Sequence, residues 1–482
     1  MSSPTPTGHS AHYEQQLSRS LTLRGNVLIT LSSVTPASSV FIIIPTVIAA
    51  VGGASFLAFL LAAGVAACMA LCYAELASAF PIAGGEYAFA GRVLGRAAGF
   101  SLFLMNALSL TMIIGVIALG TGEYLAAAFS GADSKWVGVA VIVVCSGVAI
   151  LNIRTNAWIT GVFLALEMVA VVVICALGFA NVSRPVSTLW DAQTVGDHGT
   201  LVGVGLGLIA GQTAIALFAY NGYGAAIYFA EETHGARTVM GKVVLVALGV
   251  TVAAEILPLA AVLLGAPDMT RLIGADNPME YFMEARGSHA LNVAVSLAIA
   301  IAIINATVAI ILQAGRTLFS AARDRAFPDP VGRVLAHVHP TLQTPPYATL
   351  LVGLVAATLA AFVPIESLIT GTGATLIVLY VFVALSALVG RRTGATEAAE
   401  YRMPLFPLPP VIIVVALAYV SYEVWDANPW QVVIALGALA VGFLYYLAYL
   451  RPRRADRWTM LSAAPEEILP GELGLGATVK EI

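Results

Sequence analysis

Long apolar runs alternate with short clusters of charge, glycine and proline along the chain, at 25–51, 55–80, 98–129, 136–151, 157–180, 202–230, 239–265, 289–320, 347–363, 366–390, 405–425 and 429–450. Most are long enough, at about 20 residues, for a helix to cross a hydrocarbon core about 30 Å thick. The runs are continuous and rich in Leu, Ala and Val, whereas strands of a membrane barrel alternate apolar with polar residues. Only helices then satisfy the backbone within lipid. The pattern predicts an all-α integral membrane protein with twelve transmembrane helices.

Two of these runs are interrupted. In the first, Thr35-Pro36-Ala37-Ser38-Ser39 stops a helix near Val34, because Pro36 lacks an N–H and disfavours helical geometry at Thr35. A second half-helix then starts with Thr35 as cap and Pro36 at its first position. The amides of Ala37, Ser38 and Ser39 are expected to be free at its positive end, where anions bind. In the sixth, Tyr220-Asn221-Gly222-Tyr223-Gly224 puts turn formers in mid-membrane and leaves the carbonyls of Leu217, Phe218 and Ala219 for a cation. Either break alone could be a kink or a packing glycine. Together they occupy corresponding places in two five-helix halves, as in an inverted repeat that builds a midplane site from discontinuous helices. The expected units are a tail at 1–20, repeats at 21–200 and 201–395, two further helices at 396–452 and a tail at 453–482. Gly203, Gly207 and Gly211 form a small-residue stripe expected to serve close helix packing.

Composition agrees with a membrane chain: of 482 residues 59% are hydrophobic and 10% charged, with a mean hydropathy of +0.90. A soluble chain carries about 25% charged residues. The net charge of −4 hides a strong asymmetry. Of 23 Lys and Arg, only Lys135, Arg184, Arg271 and Arg286 fall in alternate loops that would face outward. The rest fall on the other side, which places both termini in the cytoplasm of a cell-membrane protein. The polar first 18 residues carry no signal-peptide core. Cys68, Cys72, Cys145 and Cys175 lie in apolar runs without metal or redox spacing and are expected to be buried thiols, and the His337/His339 pair to be solvated. No Walker loop, His-Glu-x-x-His or Gly-x-Ser-x-Gly occurs, so neither ATP drive nor hydrolysis is indicated.

Three ordered segments carry a resemblance. They are Tyr73-Ala74-Glu75-Leu76 with Phe80-Pro81-Ile82-Ala83-Gly84-Gly85-Glu86-Tyr87; Phe218-Ala219-Tyr220-Asn221-Gly222-Tyr223 with Ala230-Glu231-Glu232-Thr233 and Arg237; and Gly315-Arg316-Thr317-Leu318 with Ala322-Arg323-Asp324-Arg325-Ala326-Phe327-Pro328. Over roughly residues 20–450 the chain resembles the amino acid-polyamine-organocation transporters. The resemblance implies permease activity by alternating access, with an amino acid or amine held by Thr35, Ala37, Ser38, Ser39, Leu217, Phe218, Ala219, Tyr220, Asn221 and Gly222. It also implies Phe218 as a cover over the occupied site and Tyr87 as part of the inner closure. This chain departs from the family's pattern in three places: the first break lacks the usual glycines, Gly224 stands where many members have Glu, and Glu167 stands where many proton-coupled members have Lys.

Ionisable groups inside spans cost roughly 2.5–3.5 kcal/mol each, so they require a partner, water or a task. Glu123 lies near an outer end, where water reaches it. Glu255, three residues before Pro258, is expected to bond to backbone freed by that proline. Glu167 lies about ten residues into its span, roughly 15 Å deep. No Lys or Arg lies in the core of any span, so Glu167 must take a proton, hold a cation or bond to a neighbouring hydroxyl. The first two make it the ion-coupling group of a symporter. No cofactor is implied beyond that ion, H+ or Na+. The expected partners are a small amino acid or amine and membrane lipid, with no nucleic acid, in a monomer or homodimer; a polyamine carrier and a nutrient sensor are the alternatives.

Overall fold

Helices begin where a side chain can satisfy their first amides. Thr22, Asn152 and Ser288 accept from the amides of Gly25, Thr155 and Leu291 at the starts of Leu23–Val34, Ile153–Ala180 and His289–Arg323. A computed structural model of the chain describes residues 16–128, 133–196, 199–275, 277–427 and 429–460. Among the described residues, eight helical stretches are long and apolar enough to cross a membrane: Leu23–Val51, Ser55–Ala79, Arg96–Thr121, Ile153–Ala180, Ala236–Gly265, Val293–Arg323, Ser367–Thr393 and Val432–Arg453. Three shorter apolar helices are Lys135–Ala149, Pro346–Phe362 and Leu408–Tyr422. The sixth predicted run is split into an α-helix, Leu206–Ala219, and a 3₁₀ stretch, Tyr223–Glu232. The only sheet among the described residues pairs Gln193–Val195 antiparallel with Leu201–Gly203.

The first half-helix, Leu23–Val34, packs against Ile153–Ala180, Ala236–Gly265 and His289–Arg323, while Ala236–Gly265 lies along Ser55–Ala79. One end of the bundle is tightly closed. There Leu21 pairs with Thr233, and the amides of Ser20 and Leu21 both bond to Glu232 O. Three buried carboxylates at that end each meet an arginine: Glu75 with Arg391, Glu231 with Arg323, and Glu232 with Arg316.

Residues from Arg453, assigned to a tail by the sequence pattern, fold back over this closed end as far as Met460. Trp458 is 1% exposed, packs on Tyr87 at 5.3 Å between ring centroids, and donates its indole N–H to Arg96 O at 2.9 Å. Two other expectations need correction. Gly207 and Gly211 have open space where a Cβ would stand, so the glycine stripe does not bring helices together. Of the four cysteines, Cys72 and Cys145 are buried, but Cys68 and Cys175 keep some exposure. His339 is ordered by its own loop, its Nδ1 accepting the amides of Thr341 and Leu342.

Candidate functional site

The two breaks touch. Gly222 has φ +119°, and a Cβ there would stand 2.9 Å from the Cα of Val34, so the turn ending one half-helix rests directly on the last residue of the other. Both the left-handed geometry and the close approach require glycine. Thr35 is also left-handed, at φ 50°, with Pro36 in the first turn beyond it. That geometry turns the Thr35 hydroxyl back onto Val34 O at 2.7 Å, so it does not cap the second half-helix as the sequence predicted.

The amides at this end are not all free either. Ala37 N donates to Glu167 Oε1 at 2.9 Å, so a protein carboxylate already occupies part of the anion position. Ser39 N bonds back to Thr35 O at 3.2 Å. On the facing break, Phe218 O accepts the amide of Asn221 at 3.0 Å, and Ala219 O accepts the Ser39 hydroxyl at 3.2 Å. The carbonyls of Phe218 and Ala219 therefore each already accept a hydrogen bond within the protein, because the chain tightens at Tyr220 and Ser39 crosses from the other break.

A cavity of about 360 Å³ lies against both breaks, a size typical of small-molecule sites. Of the residues named from the sequence, Thr35, Ser38, Ser39, Phe218, Ala219, Asn221 and Gly222 line it. Ala37, Leu217 and Tyr220 do not. The Ala37 side chain is buried behind its amide, Leu217 faces a second cavity of about 280 Å³, and the Tyr220 hydroxyl donates to Phe59 O at 3.1 Å. Phe218 is 49% exposed and lines both cavities. It is a partition rather than core packing. Phe218→Ala should therefore leave thermal melting close to wild type, while raising the apparent KM or slowing turnover in vesicle uptake. A large loss of melting temperature, as when a buried Phe worth about 3–5 kcal/mol is removed, is the result that denies this role.

Among the described residues one acidic side chain lines the cavity, Glu86, which was not among the residues expected at the site. Tyr73 donates to its Oε1 at 2.8 Å, while Asn106 at 3.1 Å and Tyr228 donate to Oε2. Tyr380 donates to Asn221 Oδ1 and lines the same space. The signal available in sequence was the run Gly84-Gly85-Glu86-Tyr87 itself: Gly85, at φ 66°, lies where a Cβ would meet the Tyr228 ring. Tyr87 does not line the cavity. It is buried at the closed end, donating to Ser320 Oγ at 2.7 Å and Asp324 Oδ2 at 3.2 Å.

Glu167 and Glu255 stand behind the cavity wall. Glu167 Oε2 is buried without a hydrogen-bond partner, and the Oε1 partner is a backbone amide rather than a hydroxyl. Glu255 was expected to bond to backbone freed by Pro258, but neither of its carboxyl oxygens has a partner. The Glu123 side chain lies outside the described residues.

Half-helices that meet at a cavity in the middle of an apolar bundle are a transporter's architecture. The family model for amino acid permeases matches residues 21–463. The chain belongs to the amino acid permease family. An uncharacterized transporter of Mycobacterium tuberculosis is 30% identical over 89% of this chain and 91% of its own length. A methylthioribose transporter of Bacillus subtilis is 24% identical over 86% of this chain and 90% of its own, and a branched-chain amino acid permease of the same organism 20% over 86% and 89%. This permease is thus a membrane-embedded transporter of small molecules and not an enzyme.

Proposed function

We propose that the protein is a secondary active permease that moves an amino acid across the cell membrane by alternating access, with Glu167 as the ion-coupling group. The observation that carries this reading is the cavity bounded by both helix breaks, with Ser39 bridging them. Eight long apolar helices, three shorter ones and the interrupted sixth support twelve spans, arranged as two inverted five-helix repeats and two further helices. The closed end gathers Arg96, Arg316, Arg323 and Arg391, whereas Arg184 and Arg286 bond to Ala266 O and Gly265 O at the opposite end. This supports cytoplasmic termini and a cavity closed toward the cytoplasm.

The cavity's chemistry supports the substrate class. Glu86 suits an ammonium group, the Ser38 hydroxyl can donate to a carboxylate, and Ile113, Val116, Ile117, Ile369 and Leu376 offer an apolar surface for a side chain. A relative named as a branched-chain amino acid permease agrees with that surface. A second reading, a putrescine-like amine, is favoured by one observation: among the described residues no Lys or Arg lines the cavity to balance Glu86. Competition for uptake into proteoliposomes separates them. Excess neutral amino acids should block accumulation of label and putrescine should not; the reverse pattern replaces the amino acid reading with the amine one.

A further inference from the structure

Among the described residues seven carboxylates are buried, Asp324 with the Tyr87 hydroxyl donating to it, and they can be ranked by what holds them. Glu75, Glu231 and Glu232 each have an arginine; Glu86 has three neutral donors; Glu167 has one backbone amide. Glu255 is fully buried, meets no arginine, and neither of its oxygens has a hydrogen bond of ordinary geometry. An ionised carboxylate in such a place is very costly unless paired and hydrogen-bonded.

Among the described residues its surroundings supply no countercharge. Basic residues on the helices packed around it lie near the starts of those helices, Arg24, Arg154 and Arg237 in the first turn and Lys242 in the second. Lys242 is 13 residues away on the same helix, about 20 Å. The facing titratable group is the Tyr220 phenol, which donates to Phe59 O. On the Ser55–Ala79 helix, Cys68 lies at the middle and Cys72, Tyr73 and Glu75 lie toward its far end; on the 3₁₀ stretch, Glu231 and Glu232 are paired with arginines, and Tyr223 and Tyr228 are phenols. Glu167, on Ile153–Ala180, is engaged at Ala37.

One polar group links Glu255 to water. The Ser39 hydroxyl stands beside its carboxyl, is committed to Ala219 O, and lines the cavity, whereas Glu255 itself does not. We propose that Glu255 is a proton-binding site, separate from Glu167, whose exchange with the cavity is gated by the Ser39 hydroxyl. While Ser39 bridges the two breaks, Glu255 keeps its proton. When the breaks separate and the bond to Ala219 O is lost, Ser39 Oγ takes the proton from the Glu255 carboxyl and passes its own to a cavity water. One O–H bond breaks at Glu255, one proton enters the solvent, and the serine, its hydroxyl restored, donates to the new carboxylate. Proton release is thereby tied to the relative position of the two half-helices.

Infrared spectroscopy of the full chain in lipid tests this without a substrate. Wild type should show a protonated-carboxyl stretch that shifts on transfer to D₂O, Glu255→Gln should lose that component, and Ser39→Ala should keep it but exchange about tenfold more slowly or worse. Retention of the full band in Glu255→Gln, or wild-type exchange in Ser39→Ala, overturns the proposal. If Glu255→Gln does not fold, Ser39→Ala decides alone. The coupling role rests on the transport reading. In vesicles, Glu255→Gln should take up a labelled amino acid mixture with loss of stimulation by an imposed proton gradient, and stimulation equal to wild type overturns that role. Wild-type vesicles that take up no label refute the transport reading instead, and the infrared result still decides on Glu255.

Discussion

Glu167→Gln should abolish uphill, gradient-driven uptake while leaving substrate binding and the folded protein intact. The glutamine carbonyl can still accept the amide of Ala37, now made at 2.9 Å by Glu167 Oε1, so the first break keeps its anchor. What changes is the second oxygen, which is buried without a partner. In the carboxyl that position can carry a proton or hold a cation; in the amide it carries a permanent N–H₂ and can do neither. The expected result in proteoliposomes is exchange and downhill uptake near wild type, with accumulation against a gradient lost. Wild-type dependence on both pH and sodium in this variant would remove Glu167 from the coupling role.

The spans were legible because continuous apolarity has one structural meaning in lipid, and because each long helix ends where charge, Gly or Pro gathers. Both breaks were legible for local reasons as well: Pro36 cannot continue a helix, and Gly222 in a tight turn announces itself. What escaped reading is pairing across distance. Ala37 and Glu167 are 130 residues apart, and nothing local says that the amide of one is reserved for the carboxyl of the other. Ser39 and Ala219, 180 residues apart, escape for the same reason. Glu86 was hidden differently. It follows a Pro- and Gly-rich segment that reads as a connecting loop, yet Tyr73, Asn106 and Tyr228 draw its carboxyl into the cavity wall. Trp458 lies beyond the last apolar run and becomes core only because Tyr87, Phe100 and Phe103 leave an aromatic socket for it.

Arg316→Met should be the most destabilising single change at the closed end, by about 3–5 kcal/mol, because it strands the fully buried Glu232 carboxylate without its countercharge. Both side chains are 0% exposed. Arg316 meets both oxygens of Glu232, with Nη2 to Oε1 at 2.8 Å, gives Nη1 to Leu312 O at 3.2 Å, and stacks over Phe229 at 5.1 Å. Removing both charges together is a different matter: replacing a buried pair by apolar residues of similar volume is often neutral or stabilising. Arg316→Met with Glu232→Leu should therefore melt near wild type in detergent, well above Arg316→Met alone. If the double variant melts no higher than the single one, the pair is not an isolated unit and Leu312 and Phe229 carry its energy. Transport should separate the variants further. The pair joins the end of the interrupted sixth helix to His289–Arg323, and in an alternating-access cycle this end must open to water. Hydration compensates two separating charges but offers nothing to two separating apolar side chains, so the double variant should be stable and slow, with a lower kcat and little change in KM. Turnover equal to wild type would mean that this contact stays shut throughout the cycle.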